Sequence, residues 1–307
     1  MSSSIVRGGD GGREGGVATG RPAGPLGRAR RSLLGLSVGD AFGERLRTAP
    51  GCIERRELPP GPWRFTDDTE MALSVVACLD AHGRIEPHLL ARGFAERFDE
   101  ERGYGQGAIG WVRAVRGGVP WFEAARALFS GGGSFGNGAA MRAAPIGAWF
   151  AGEPAVARDE ARKAAAVTHA HADGQAGAEA VAVAAAILCQ RDPARGAELL
   201  DAVVRTLDGE SATREGLRRA RDLPAVAPVA AAAALGSGQR ASSQDTVPFA
   251  LWCAAHHGGD FAAALWAAAE GGGDLDTVGA IVGGLVALSA PDVPYAWVER
   301  REALPPL

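Results

Sequence analysis

The chain has 307 residues, of which 47% are hydrophobic and 22% charged, so it holds enough apolar material for a large globular domain, which excludes a mainly disordered or fibrous protein. Its 32 basic residues, all arginine except Lys163, are outnumbered slightly by 36 acidic ones, giving a net charge of −4 and arguing against general nucleic-acid binding. Alanine dominates the apolar residues, which predicts an all-α fold, a compact multi-helix bundle.

The first segment, residues 1–29, is rich in glycine and arginine and is predicted to be a disordered tail. From residue 30 to 307, alanine- and leucine-rich segments alternate with Gly, Pro and Asp, which is typical of one helical domain. No segment resembles a membrane span or a secretion signal, so we expect no membrane partner and a cytoplasmic protein. The four cysteines form no CxxC pair and are interpreted as reduced thiols.

Three glycine-containing strings imitate well-known signatures without their structural context. Residues 35–39 fit the GxSxG nucleophile elbow, but no strand pattern precedes them, so a serine hydrolase using Ser37 is kept only as a distant alternative. Residues 105–110 and 131–136 both fit GxGxxG outside any βαβ unit. We interpret these two strings as turns between helices.

Two predicted helices begin with clustered acidic residues. Thr66 is a predicted N-cap before an apolar helical face, and a second apolar helix near the end of the chain contains Gly279, Gly283 and Gly284, which permit close backbone approach. The oxygen-bearing residues of these two helix starts are Thr66, Asp67, Asp68, Asp274, Asp276 and Thr277. Such oxygens are the ligands that Mg²⁺ and Mn²⁺ prefer, although each aspartate taken singly is also a common helix cap.

A glycine-rich loop and a histidine pair lie between the two acidic helix starts. The loop, residues 131–138, lets backbone N–H groups approach a ligand, and a helix directly after it would present its positive end to an anion such as a diphosphate. His169 and His171 follow an alanine-rich helix; such a pair is more often structural, although His169 can also serve a ribose or a phosphate.

Taken in this order, the motifs resemble the ADP-ribosylglycohydrolase family over nearly the whole chain from residue 30. The matching strings are Gly39-Asp40-Ala41-Phe42-Gly43, Thr66-Asp67-Asp68-Thr69, Arg102-Gly103-Tyr104-Gly105, Gly136-Asn137-Gly138 with Met141-Arg142, Thr168-His169, and Gly273-Asp274-Leu275-Asp276-Thr277. Each string is weak alone, whereas the ordered set is specific.

The resemblance implies an orthogonal helical bundle with a dinuclear metal cleft and a hydrolase that cleaves the bond between ADP-ribose and an acceptor, which is a protein side chain or a small molecule. It implies two Mg²⁺ ions, with Mn²⁺ as the alternative, held by Thr66, Asp67, Asp68, Asp274, Asp276 and Thr277. It implies substrate contacts from Gly133, Ser134, Phe135, Gly136, Asn137, Gly138, Met141, His169 and Tyr104. Metals would hold the ribose hydroxyls while carboxylates help a water attack, with Asp67, Asp68, Asp276 and Glu44 as the catalytic candidates.

One position departs from the family pattern. Members usually carry a glutamate four residues after the second glycine of the first string, and here that position is Arg47, with Glu44 the nearest acidic residue. The alternative function is therefore a catalytically inactive ADP-ribose-binding or structural relative. Asp40 is interpreted as structural, fixing the loop after the first helix, and we expect a monomer.

Overall fold

The computed structural model describes residues 24–190 and 192–307, and this part of the chain is all-α, which confirms the predicted fold class. It contains no strand, only isolated β-bridges joining Trp63 to Arg301 and Gly136 to Ser242. The α-helices are α1 (Pro25–Arg47), α2 (Gly51–Arg55), α3 (Asp67–His82), α4 (Pro87–Arg97), α5 (Gln106–Arg116), α6 (Trp121–Ala127), α7 (Ala144–Trp149), α8 (Pro154–Ala166), α9 (Ala172–Leu188), α10 (Gly196–Thr206), α11 (Ala212–Asp222), α12 (Pro228–Leu235), α13 (Ser243–His257), α14 (Phe261–Glu270), α15 (Leu275–Ser289) and α16 (Tyr295–Val298).

Helix α1 begins earlier than the sequence pattern predicts. The expected tail boundary after residue 29 is wrong, because the helix starts at Pro25, whose fixed φ suits the first helical position. The Arg28 side chain then ties this start to the body by donating to the Ala148 carbonyl at 3.0 Å. The rest of the predicted tail, residues 1–23, lies outside the described residues. Over the part that is described, no helix combines the length and the apolar character needed to cross a membrane.

Glycines bring helix α1 into backbone contact with α15. A Cβ atom added to Gly39 would lie 2.0 Å from the carbonyl oxygen of Gly279, and one added to Gly43 would lie 2.1 Å from that of Leu275. Gly35 meets Gly283 in the same way, so the two helices run antiparallel with their backbones touching at three successive turns. The close backbone approach predicted for Gly279 and Gly283 is thereby confirmed, whereas Gly284 meets side chains of neighbouring helices instead.

The same helix excludes the serine-hydrolase alternative. Ser37 is buried within α1, and its Oγ donates to the Leu34 carbonyl at 3.0 Å. A nucleophile elbow needs a strained strand-to-helix turn that exposes the hydroxyl, and this position offers neither. The interpretation of residues 105–110 as a turn is also wrong in part, because Gly107 and Gly110 lie inside α5.

The core is built from small side chains that allow tight helix packing. Helix α9 is buried from Gly177 to Leu188. Its seven residues from Ala180 to Ala186 are all alanine or valine and are fully buried. It packs between α7, α8 and α13, while α15 passes through the centre against α1. This arrangement holds the N-termini of α3 and α15 beside the last two turns of α1. The acidic residues at the two helix starts therefore lie close to one another.

We predict that Gly39→Ala lowers the free energy of unfolding by more than about 3 kcal/mol, because its Cβ would meet a backbone carbonyl that no rotamer change can move. Gly110→Ala in α5, with no atom within 4 Å of the added Cβ, is the matched control and should raise it by up to about 1 kcal/mol. Urea denaturation of both variants measures the difference. Equal stabilities would contradict the packing described for α1 and α15.

Candidate functional site

Asp40 joins helix α1 to the start of α3. It lies inside α1 and is fully buried, and it fixes the start of α3 rather than the loop directly after α1. Its carboxylate accepts hydrogen bonds from the backbone N–H and the hydroxyl of both Thr66 and Thr69. Because four donors converge on it, Asp40 fixes the position of the α3 N-terminus, and its structural role is to hold the first acidic cluster in place.

The first acidic cluster forms as the sequence predicts. Thr66 is the N-cap of α3, and its Oγ1 accepts the backbone N–H of Asp68 at 3.3 Å. Asp67 and Asp68 follow in the first turn, where the positive end of the helix dipole favours negative charge.

The second acidic cluster differs from an ordinary cap. Asp274 is the N-cap residue of α15, but its side chain makes no capping hydrogen bond. Its Oδ2 instead accepts the Asn137 Nδ2 amide at 2.7 Å. Asp276 and Thr277 follow in the first turn. One oxygen of the Asp274 side chain is thus directed toward the glycine-rich loop.

Both clusters open into one cavity of about 470 Å³. The site residues predicted from the sequence that line this cavity are Asp67, Asp68, Ser134, Gly136, Asn137, Gly138, Met141, His169, Asp274, Asp276 and Thr277. They come from four separate segments of the chain, so the fold brings together most of the site that the ordered motifs predicted.

Burial and neighbouring carboxylates make Asp67, Asp68 and Asp274 hard to ionise. Burial raises the pKa of Asp67 and of Asp68 well above its ordinary value, and neighbouring carboxylates, Asp40 and Asp276 among them, raise it further. Burial together with Asp276 raises the pKa of Asp274 to about 7. A cation placed among these groups would favour their ionised forms.

The donor chemistry fits a hard divalent cation. Within the described residues, the buried Oδ1 atoms of Asp68 and Asp276 have no hydrogen-bond partner, which is costly for a carboxylate unless another ligand satisfies it. The ligand shell is nevertheless not closed: over residues 24–190 and 192–307, no three Asp, Glu, His or Cys side chains are grouped closely enough to hold one ion. The dinuclear centre therefore stays a prediction.

The glycine-rich loop is anchored to the first turn of α13 and to the residues just before it. The backbone N–H of Asn137 donates to the Ala241 carbonyl at 3.2 Å, and that of Ser243 donates to the Phe135 carbonyl at 3.0 Å. The Asn137 amide also donates to Thr246 Oγ1 at 3.0 Å. The expected helix directly after the loop is absent, because Asn137–Ala139 is a single 3₁₀ turn and α7 begins only at Ala144.

His169 presents a defined edge to this loop. Arg142, which can only donate, gives a hydrogen bond of 2.8 Å to Thr168 Oγ1, and that hydroxyl lies 2.7 Å from His169 Nδ1. The hydroxyl proton therefore goes to Nδ1, which leaves the proton of the ring on Nε2. A Cβ added to Gly136 would lie 3.4 Å from that Nε2, so an N–H donor faces the glycine-rich loop. Burial and Arg142 lower the pKa of His169 to about 3, which keeps the ring neutral.

Five predicted site residues do not line the cavity: Glu44, Thr66, Tyr104, Gly133 and Phe135. Tyr104 is buried behind the wall, where its hydroxyl donates to Glu70 at 2.5 Å. Thr66 is occupied with capping, and Glu44 accepts a hydrogen bond from Arg47 beside the cavity. A sequence motif marks a neighbourhood, whereas backbone direction decides which of its side chains faces inward.

The cavity also contains residues to which the sequence analysis assigned no site role. Arg142 and Thr168 directly adjoin the predicted site residues Met141 and His169 in the matched strings, so their place in the cavity could have been predicted from the sequence. Gln106, Trp111 and Phe129 reach the cavity from α5 and from the 3₁₀ turn Leu128–Gly131. No local pattern distinguishes these three from ordinary core or surface residues.

Comparison with known proteins gives one consistent result. The model of a family described as ADP-ribosylglycohydrolase matches residues 21–304. An uncharacterized protein of Archaeoglobus fulgidus is 30% identical over 88% of this chain and 90% of its own length. The human ADP-ribosylhydrolase ARH3 is 32% identical over 54% of this chain. The match spans about half (51%) of the length of that relative. A solved structure called ADP-ribosylglycohydrolase-related protein complex shares the fold, with a TM-score of 0.63, 24% identity and coverage of 91% of this chain and 93% of its own.

We predict that ring ¹⁵N NMR shows His169 as the neutral Nε2–H tautomer from pH 5 to pH 8, since its pKa is near 3. Thr168→Ser keeps the hydroxyl donor and should preserve this tautomer, whereas Thr168→Val removes it and should produce a mixture. Protonation of the ring near pH 6, or the same tautomer in the valine variant, would contradict the described hydrogen-bond chain.

Proposed function

This chain belongs to the ADP-ribosylglycohydrolase family, and from that premise we propose that it hydrolyses the glycosidic bond between ADP-ribose and an acceptor. The observation that carries the proposal is the cavity in which two acidic helix starts face a glycine-rich loop and a neutral histidine. Acceptors of this reaction are a protein side chain, such as arginine or serine, or a small molecule, and the proposal covers each of them.

The cavity has complementary surfaces for the parts of ADP-ribose. Its volume lies in the range of small-molecule sites. Gly136, Gly138 and the Nε2–H of His169 offer close backbone approach and a donor for phosphate or hydroxyl oxygens. At the mouth, the Phe129 ring is 59% exposed and lies 5.9 Å from that of Phe135, which provides flat apolar faces for a purine base.

The acidic clusters suit cleavage at the anomeric carbon, where positive charge develops in the transition state. Two Mg²⁺ ions, or Mn²⁺, would act there as Lewis acids on ribose hydroxyls and lower the pKa of water. Asp67, Asp68, Asp274, Asp276 and Thr277 would hold them, with Thr66 positioning the first cluster. As carboxylates, Asp67, Asp68 and Asp276 would orient the attacking water and accept its proton.

Glu44 is the second candidate base. Burial raises the pKa of this carboxyl above its ordinary value, and its Oε2 accepts a hydrogen bond from Arg47 at 3.1 Å. It lies beside the cavity rather than in its lining, so a side-chain rotation would have to bring it to the substrate. A monomeric state and a cytoplasmic location stay predictions from the sequence.

One observation favours the non-catalytic alternative. Arg47 stands where the family pattern has a glutamate, and its Nη1 lies 3.6 Å from Asp276 Oδ2. If a carboxylate at that position is indispensable, the same cavity would bind ADP-ribose without cleaving its bond. Turnover of any ADP-ribosylated substrate excludes this alternative.

We predict release of free ADP-ribose from arginine- or serine-ADP-ribosylated peptides in Mg²⁺ and none in EDTA. Asp67→Asn and Asp276→Asn should each reduce the rate by about 10²-fold or more, since each removes a cation ligand or proton acceptor. Asp80→Asn, on the exposed end of α3, is the matched control and should leave the rate unchanged. Binding of ADP-ribose without release from any substrate would favour the alternative.

We predict that the metal-free protein loses thermal stability as pH rises from 6 to 8. The raised pKa values mean that the folded chain holds more protons than the unfolded chain, in which aspartate titrates near 3.8, so ionisation within the cavity is unfavourable. Added Mg²⁺ should oppose the loss, and its stabilising effect should be larger at pH 8 than at pH 6. Asp274→Asn should weaken the pH dependence, and a flat metal-free profile would count against the charge state described here.

A further inference from the structure

Arg47 brings a permanent positive charge to the acidic cavity. It is the last residue of α1, and its guanidinium lies 3.1 Å from Glu44 Oε2 and 3.6 Å from Asp276 Oδ2. Arg142 also lines the cavity, but its nitrogens donate to the Gly138 carbonyl and to Thr168. Arg47 is the cavity arginine that forms an ion pair with Asp276.

The helix crossing places this charge. Gly43 touches the backbone at Leu275, and Arg47 follows Gly43 by one turn of an antiparallel helix, so its backbone lies just beyond the N-terminus of α15 and its side chain reaches back to Asp276. The Arg47 side chain is 59% exposed. It also contacts Glu44, which does not line the cavity. The base of the side chain is thus fixed, while its charged end lies between Asp276, Glu44 and solvent.

We propose that Arg47 is a displaceable internal counter-cation that occupies the Asp276 carboxylate when no divalent cation is bound. Its guanidinium compensates part of the negative charge of the crowded carboxylates in the cavity. Because a guanidinium stays protonated, this positive charge is removed only by moving the side chain. A divalent cation at Asp276 must displace the guanidinium toward Glu44 and solvent. Arg47 therefore weakens divalent-cation binding and sets the cation concentration at which the site fills.

This inference rests on the proposed role of Asp276 as a cation ligand. It also goes beyond that role, because it assigns to Arg47 a competition that a glutamate at the same position would not provide. Replacing a carboxylate by a guanidinium changes the local charge by two units, and charges at this separation still interact appreciably near a protein surface.

The test is calorimetric titration with Mn²⁺ alone, without substrate, on the wild-type chain and on Arg47→Gln and Arg47→Glu. We expect Mn²⁺ affinity to rise about fivefold in the glutamine variant and more than about tenfold in the glutamate variant, as charge competition is removed and then reversed. Arg45→Glu is the matched control, because it makes the same charge change on the same helix while Arg45 donates to the Pro60 carbonyl. Its affinity should stay within about twofold of wild type, since exposed charges beyond contact are screened by salt.

Two outcomes overturn the inference and are distinguishable. Mn²⁺ binding that is lost in Asp276→Asn but unchanged in both Arg47 variants, or raised equally by Arg45→Glu, removes the counter-cation role and leaves the cation site intact. Absence of Mn²⁺ binding in every variant removes the cation site of the proposed function, and the inference with it. Thermal denaturation without metal confirms that each variant is folded before titration.

Discussion

The backbone contact between α1 and α15 is the constraint on which the site depends. Gly35, Gly39 and Gly43 allow carbonyl groups of α15 to approach where any side chain would collide. The crossing fixes the register of the two helices, so that Asp40 and Arg47 on one lie beside the first turn of the other. Neither the hydrogen bonds that Asp40 accepts from Thr66 and Thr69 nor the cavity would survive a shift of one turn, because each needs this register.

The site departs from the rules that stabilise ordinary interiors. Buried carboxylate oxygens usually accept hydrogen bonds, whereas the Oδ1 atoms of Asp68 and Asp276 have no hydrogen-bond partner within the described residues. The unfavourable free energy of these buried oxygens is offset by the alanine-rich packing around α9 and α15, where the helices pack closely and leave few voids. Such local unfavourable electrostatics are expected where a protein prepares to bind a ligand of opposite charge.

The parts of this site that sequence could predict are those encoded by neighbouring residues. The N-cap at Thr66 and the acidic first turns of α3 and α15 follow from local patterns, and the structure confirms their positions. Side-chain direction is not local: Tyr104 belongs to a matched string but turns into the core, while Trp111 joins the cavity through the orientation of α5. The partners of the Arg142 guanidinium were unpredictable for the same reason, since two of its acceptors, Met71 Sδ and Thr168 Oγ1, lie on other segments of the chain.

Asn137 connects the two halves of the cavity. Its amide donates to Asp274, and its backbone is tied to Ala241, so the position of the glycine-rich loop and the charge on the second acidic cluster are not independent. A cation that binds Asp274 competes with its hydrogen bond to Asn137 and so changes how the loop is held. A molecule that binds the loop changes the same hydrogen bond from the other side. By thermodynamic reciprocity, occupancy of the acidic half and occupancy of the loop half must change each other's affinity by the same factor.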